Sequence, residues 1–140
     1  MPTPVLPRPT EAELEILQVL WQFGPHTVRF VNDHLNQKRE VGYTTTLKWL
    51  QLMMDKGLVV REPGGKPHTY RATVREEETQ GHLLDRFVDT AFGGSALKLV
   101  LRALGRSQAS RAELDQIQQV LRQMSPDDDN LTNPAADEHA

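Results

Sequence analysis

One boundary constrains this chain more than any other: at Gly57 the apolar spacing changes from helical to strand-like. The stretch "VGYTTTLKWLQLMMDKGLVV", Val41 to Val60, carries Leu47, Leu50 and Met54 at intervals that stack on one side of an α-helix. Glycine is the residue that most readily takes the left-handed position closing a helix, so Gly57 ends this one. "LVVRE" and "HTYRATV" then flank "PGGKP", two β-rich runs around a proline-glycine turn, which is the pattern of a hairpin. The hairpin tip is cationic at Lys66, flanked by Arg61 and Arg71.

Two shorter helices precede this unit. "TEAELEILQVLW" opens with a capping box, Thr10 and Glu13 each serving the other's backbone amide. The helix is expected from Glu11 to about Phe23, with Leu14, Leu17, Leu20 and Trp21 as its buried stripe. Gly24-Pro25 stops it, because proline cannot continue the backbone ladder. "HTVRFVNDHLNQK" reads as a second helix capped at Thr27, with Val28, Val31 and Leu35 turned inward. The third helix is expected to enter through Gly42 and a threonine cap. Three short helices followed by a two-stranded hairpin is the order of a winged helix-turn-helix, in which the third helix lies in the DNA major groove.

The outward side of that third helix supports the assignment. At about 100° per residue, Thr45, Lys48, Trp49, Leu52 and Lys56 point away from the apolar spine. A solvated face rarely holds a tryptophan and a leucine, and DNA is a partner that suits them. Threonine hydrogen-bonds bases or touches a thymine methyl, lysine reaches guanine or phosphate, and apolar groups pack on methyls and sugars. The alternative is a protein-protein interaction module that uses the same face, since aromatic residues often anchor protein contacts.

From Glu76 the pattern is purely helical. "EEETQGHLLDRFVDTAF" starts acidic, as a helix N-terminus favours, and carries Leu83, Leu84, Phe87, Val88 and Phe92. "SALKLVLRAL", with Leu97, Val100, Leu101 and Leu104, is apolar nearly all round and is expected to be buried on most sides. "SRAELDQIQQVLRQM" repeats the capping box at Ser110 and Glu113 and places Leu114, Ile117, Leu121 and Met124 on one face. A lobe this small buries too little of its own apolar surface to offset the cost of ordering it. Covering the same faces with a second copy is the simplest supplement, so a homodimer is expected. The organisation read from the sequence is an N-terminal arm (1–8), a winged-helix DNA-binding domain (9–75), a helical dimerisation domain (76–124) and a disordered acidic tail (125–140). The fold class is mainly α with a small β-hairpin.

Charge follows the same division. Residues 1–75 hold ten Lys or Arg against seven Asp or Glu, and residues 76–140 hold six against twelve. Only the front half is suited to a polyanion. No apolar run reaches the roughly 18 to 20 residues of a membrane span, and "MPTPVLPRPT" lacks the pattern of a secretory signal, so the expected location is the cytoplasm. With no cysteine among the 140 residues, disulfides and thiolate metal sites are excluded. His26, His34, His68, His82 and His139 are scattered without ligand spacing, so neither a metal nor another cofactor is expected. No phosphate-binding loop, nucleophile elbow or zinc-protease motif appears, and the chain does not read as an enzyme.

"TEAELEILQVLW", "TTTLKWLQLMMDKGLVVRE", "HTYRA" and "FGGSALKLVL" together resemble the penicillinase-repressor family, the BlaI/MecI/CopY group of winged-helix repressors. The resemblance covers roughly residues 9 to 124. It implies a homodimer whose N-terminal domains hold an inverted-repeat DNA operator while the C-terminal helices exchange apolar faces. By position it implies that Thr44, Thr45, Thr46, Lys48 and Trp49 contact bases and phosphates and that Lys66 is the wing contact. Arg29, Lys38 and Arg39 are further phosphate candidates. Two positions depart from the family pattern: Leu52 stands where many members have arginine, and Lys48 where many have threonine. The family's copper-responsive members use a cysteine cluster, which this chain lacks. Its β-lactam-responsive members resemble substrates of a membrane sensor protease that cuts an Asn-Phe bond, and the corresponding pair here is Arg102-Ala103.

Overall fold

The computed structural model describes residues 8–124. All but the last residue of the expected N-terminal arm, and the whole of the expected acidic tail at 125–140, lie outside the described residues. The elements run α1 (Glu11–Phe23), β1 (His26–Thr27), α2 (Val28–Leu35), α3 (Tyr43–Lys56), β2 (Val59–Arg61), β3 (Thr69–Ala72), α4 (Glu76–Phe92), α5 (Ala96–Arg106) and α6 (Arg111–Met124). They divide into two compact units, one running to Thr90 and one starting at Ala91.

In the first unit, the ends of the helices follow their local chemistry. The α1 capping box forms as read: the Glu13 amide donates to Thr10 Oγ1 at 3.2 Å, and the Thr10 amide to Glu13 Oε1 at 2.9 Å. Thr27 Oγ1 caps α2 by accepting from the Phe30 amide. Gly57 sits at φ +83°, and its amide returns to the last turn of α3. The start of α3 differs from expectation. Its N-cap is Gly42, and no side chain caps the helix. The threonines lie inside the first turn, where their hydroxyls are past the capping position.

The sheet has three antiparallel strands in the order β1-β3-β2. β2 and β3 are the two arms of the expected hairpin, paired Val59 to Ala72 and Arg61 to Tyr70. The two-residue β1 was not legible in the sequence. It pairs on the other edge of β3, His26 opposite Tyr70, so Tyr70 is central and buried.

The core lies where α1, α2, α3 and the sheet converge. Ile16, Leu17, Val31, Leu50, Met53, Leu58 and Val59 are its most enclosed members. In α1 the buried stripe is Glu13, Ile16, Leu17, Val19 and Leu20, with Leu14 and Trp21 only half-buried. Trp21 reaches sideways, its indole Nε1 donating to the Val74 carbonyl beyond β3 at 2.9 Å. Glu13 is 2% exposed, and its Oε1 accepts from Lys56 Nζ at 2.7 Å as well as from the Thr10 amide. One carboxylate therefore joins the start of α1 to the end of α3.

The α4–α6 helices carry no buried residue, and this corrects the expectation for "SALKLVLRAL". Leu97, Val100, Leu101 and Leu104 form one exposed apolar stripe on α5. Lys98, Arg102 and Arg106, spaced four apart, occupy the other side, so the helix is two-faced rather than apolar all round. Leu114, Ile117, Val120, Leu121 and Met124 are the exposed stripe of α6. Ser110 and Glu113 form the expected second capping box.

Candidate nucleic-acid interface

α3 shows its core one residue out of phase with the sequence expectation. The buried residues are Thr46, Leu50 and Met53, while Leu47 and Met54 are half-buried at the margin. The outward face is consequently Thr44, Thr45, Lys48, Gln51, Leu52 and Asp55, all exposed. Four of these were expected to face a ligand; Gln51 and Asp55 were missed, because a count anchored on Leu47 and Met54 turns them toward the side.

Three expected members of the face behave otherwise. Thr46 is fully buried, and its hydroxyl oxygen accepts from Asn32 Nδ2 at 2.7 Å. It therefore cannot touch DNA and is withdrawn from the contact set. Trp49 is half-buried and packs against the core, with the Arg39 guanidinium 6.0 Å over its ring, within cation-π range. Lys56, placed outward by the periodicity, turns back to Glu13.

The turn between α2 and α3 is held by two asparagines that sequence reasoning passed over. Asn32 Nδ2 donates to the carbonyls of Val41 at 3.0 Å and Gly42 at 3.2 Å, in addition to Thr46. Asn36 brackets Val41 from both sides, donating to its carbonyl at 2.8 Å and accepting from its amide at 3.0 Å. The only advance signal is their i,i+4 spacing, Asn32 on α2 and Asn36 at its C-cap.

The cations around α3 are unequally free. Among the described residues Lys48, Lys66, Arg29 and Lys38 are exposed and make no ion pair, while Arg39 pairs with Glu15 at 2.7 Å and Arg71 with Glu62 at 3.5 Å. Lys66 lies in the tip joining β2 to β3, where Gly64 and Gly65 adopt positive φ. No side chain accepts from the first-turn amides of α3, so they remain available to an anion. Asp55 closes the other end of the face with a negative charge.

Two further features lie elsewhere. His26 and His34 flank Phe30, with ring centroids at 3.7 Å and 4.7 Å, and Phe23 completes the cluster. Among the described residues no group of three metal-ligating side chains is present. Arg102 and Ala103, the pair at the family's cleavage position, are exposed within α5.

A family model described as penicillinase repressor matches residues 9–123. The chain belongs to the penicillinase repressor family. Members of this family are transcriptional regulators rather than enzymes. The transcriptional regulator BlaI of Mycobacterium tuberculosis is 28% identical over 110 residues, covering 77% of this chain and 80% of that protein. The penicillinase repressor of Bacillus licheniformis is 22% identical over 116 residues, covering 83% and 91%. The solution structure of the DNA binding domain of the repressor BlaI is similar at 21% identity and a TM-score of 0.47, covering 54% of this chain and 93% of that one. In this penicillinase repressor family member the helix-turn-helix is α2 and α3, and the wing is the β2–β3 hairpin. Among the described residues no helix is long and apolar enough to cross a membrane.

Proposed function

We propose that this repressor acts in the cytoplasm as a homodimer on an inverted-repeat operator, each subunit seating α3 in the major groove. The observation that carries the reading is the α3 face itself: Thr44, Thr45, Lys48, Gln51 and Leu52 are exposed together on a helix whose opposite side is locked into the core. Thr44 and the first-turn amides meet a phosphate, while Thr45, Lys48 and Gln51 meet base edges. Glutamine suits adenine, whose N6 and N7 match its amide in a bidentate pair. Leu52 suits a thymine methyl, and Asp55 marks where the footprint ends, because a carboxylate repels phosphate. Lys66 on the wing, with Arg29 and Lys38, supplies backbone contacts that position without reading. Arg39 contributes less, since Glu15 and Trp49 already hold its guanidinium.

The exposed stripes of α4, α5 and α6 support a two-fold dimer. Leu84, Leu97, Val100, Leu101 and Leu114 are large apolar groups exposed in the single chain, and a second copy is the cover that also supplies a second α3. Leu83, Val88 and Phe92 are half-buried along the same helices. Release by a membrane sensor protease at Arg102-Ala103 requires unwinding a turn of α5 first, since a protease binds its substrate extended. A protein-docking role for the α3 face is less well supported, because Trp49, its expected anchor, packs on the chain's own core.

Selection of random duplex DNA by the purified protein, sequenced at near-physiological salt, tests the proposal. The expected pool is enriched in an inverted repeat whose half-sites are centred about one helical turn, or a multiple of it, apart. A folded, dimeric protein that leaves the pool unenriched overturns it.

A further inference from the structure

The proposed reading asks α3 to present its side chains to base edges within about 0.5 Å, and apolar packing alone does not set a helix that finely. Leu50 and Met53 press on the core through contacts that have no direction, so a few degrees of roll about the helix axis change their packing little. Hydrogen bonds are directional. At the N-terminal end of α3, the end carrying Thr44, Thr45 and Lys48, the side-chain hydrogen bond from α2 to a residue of α3 itself comes from Asn32. Beyond α2, Asn36 at its C-cap holds only Val41, ahead of α3. Asn32 Nδ2 donates to Thr46 Oγ1, the Val41 carbonyl and the Gly42 carbonyl at 2.7, 3.0 and 3.2 Å. An amide nitrogen has two hydrogens, so three acceptors at these distances require one to be shared. Thr46 lies about 160° around the helix from Lys48, so rotation that brings Lys48 toward a base pulls Thr46 away from Asn32.

We infer that Asn32 and Thr46 are positioning residues for DNA reading: their hydrogen bond sets the roll of α3 and so the specificity of the repressor, without either touching DNA. The inference rests on α3 being the reading helix. Thr46 is fully enclosed, and a buried hydroxyl is a costly choice where valine has nearly the same shape. The purpose is a single orientation of the helix, which a valine in that place does not enforce.

Removing both polar partners of this bond together avoids leaving either buried and unsatisfied, and the Val41 and Gly42 carbonyls keep Asn36 Nδ2 and the Thr46 amide as donors. In the Asn32→Leu, Thr46→Val double variant the expected result is retained folding by circular dichroism and a tenfold or greater loss of affinity for the duplex enriched by the wild-type chain. Affinity for a scrambled duplex of equal length stays within about twofold, since phosphate contacts tolerate a rolled helix. Thr46→Ser keeps the hydroxyl and restores the ratio of enriched to scrambled affinity, whereas Thr46→Val alone does not; this pair decides the matter should the double variant fail to fold. Mere destabilisation lowers both affinities together and leaves the ratio where it was. An unchanged ratio in folded Thr46→Val, beside a wild-type ratio well above one, overturns the inference and leaves the proposed function standing. A wild-type ratio of one overturns both.

Discussion

At the scale of single residues, the outward face of α3 makes the sharpest predictions. Lys48→Ala and Gln51→Ala should each weaken binding to the selected operator by about 1 to 3 kcal/mol, the usual cost of one lost base contact. Fluorescence anisotropy titrations against the selected duplex check both. Gln51→Ala should also erase the base preference at one position of the selected site while leaving the salt slope unchanged, because glutamine carries no charge to exchange for counterions. Lys66→Ala should behave in the opposite way, weakening all duplexes alike and reducing the log-log salt slope by about 0.9. Thr45, Lys48 and Leu52 were legible in the sequence because their side of the helix follows from counting residues. Thr46 was not: its partner Asn32 is fourteen positions away, and no local pattern reports a side chain whose reason is a neighbouring helix. The same holds for Lys56, drawn inward by Glu13 from forty-three residues away.

At the scale of elements, the helix ends and the hairpin were legible, and the contacts between elements were not. Gly57 illustrates the first. A Cβ added there meets nothing within 4 Å, so Gly57→Ala tests backbone conformation alone. With φ at +83° the expected loss is about 1 to 2 kcal/mol, measured by urea denaturation as a lower midpoint with unchanged slope. The bridge from α1 to α3 illustrates the second. Lys56→Met leaves the Glu13 carboxylate enclosed without its counter-ion, at an expected cost of about 1 to 3 kcal/mol, below that of a fully buried pair because the lysine is 38% exposed. Equal stability of Lys56→Met and wild type would mean that Glu13 is held by the Thr10 amide alone. β1 was invisible in advance because two residues carry no alternation; its pairing with β3 exists only once the hairpin is in place.

At the scale of the whole molecule, charge and the order of the elements separate the chain into two parts of different surface character. The basic front half holds the exposed α3 face, and the acidic back half holds the exposed apolar stripes. What periodicity did not reveal is that α5 is two-faced, because leucines and valine around Lys98 and Arg102 read as a continuous apolar run until the helix is wound. Leu97→Glu and Leu101→Glu together should convert a dimer to a monomer in sedimentation velocity at micromolar concentration. Operator affinity should fall with it, since a monomer engages one half-site and loses the gain in effective concentration from the second. Retention of the dimer mass in that variant would move the interface off this stripe of α5.

The two tryptophans, the chain's entire complement, occupy different environments, and this provides two optical reporters. Trp21 is hydrogen-bonded to the segment leaving the wing, so its emission reports whether the wing remains docked on α1. Trp49 lies on α3 under the Arg39 guanidinium, so its emission reports the packing of α3 on the turn that follows α2. With Trp21 replaced by phenylalanine, the remaining emission follows the α3 environment alone; with Trp49 replaced, it follows the docking of the wing segment on α1.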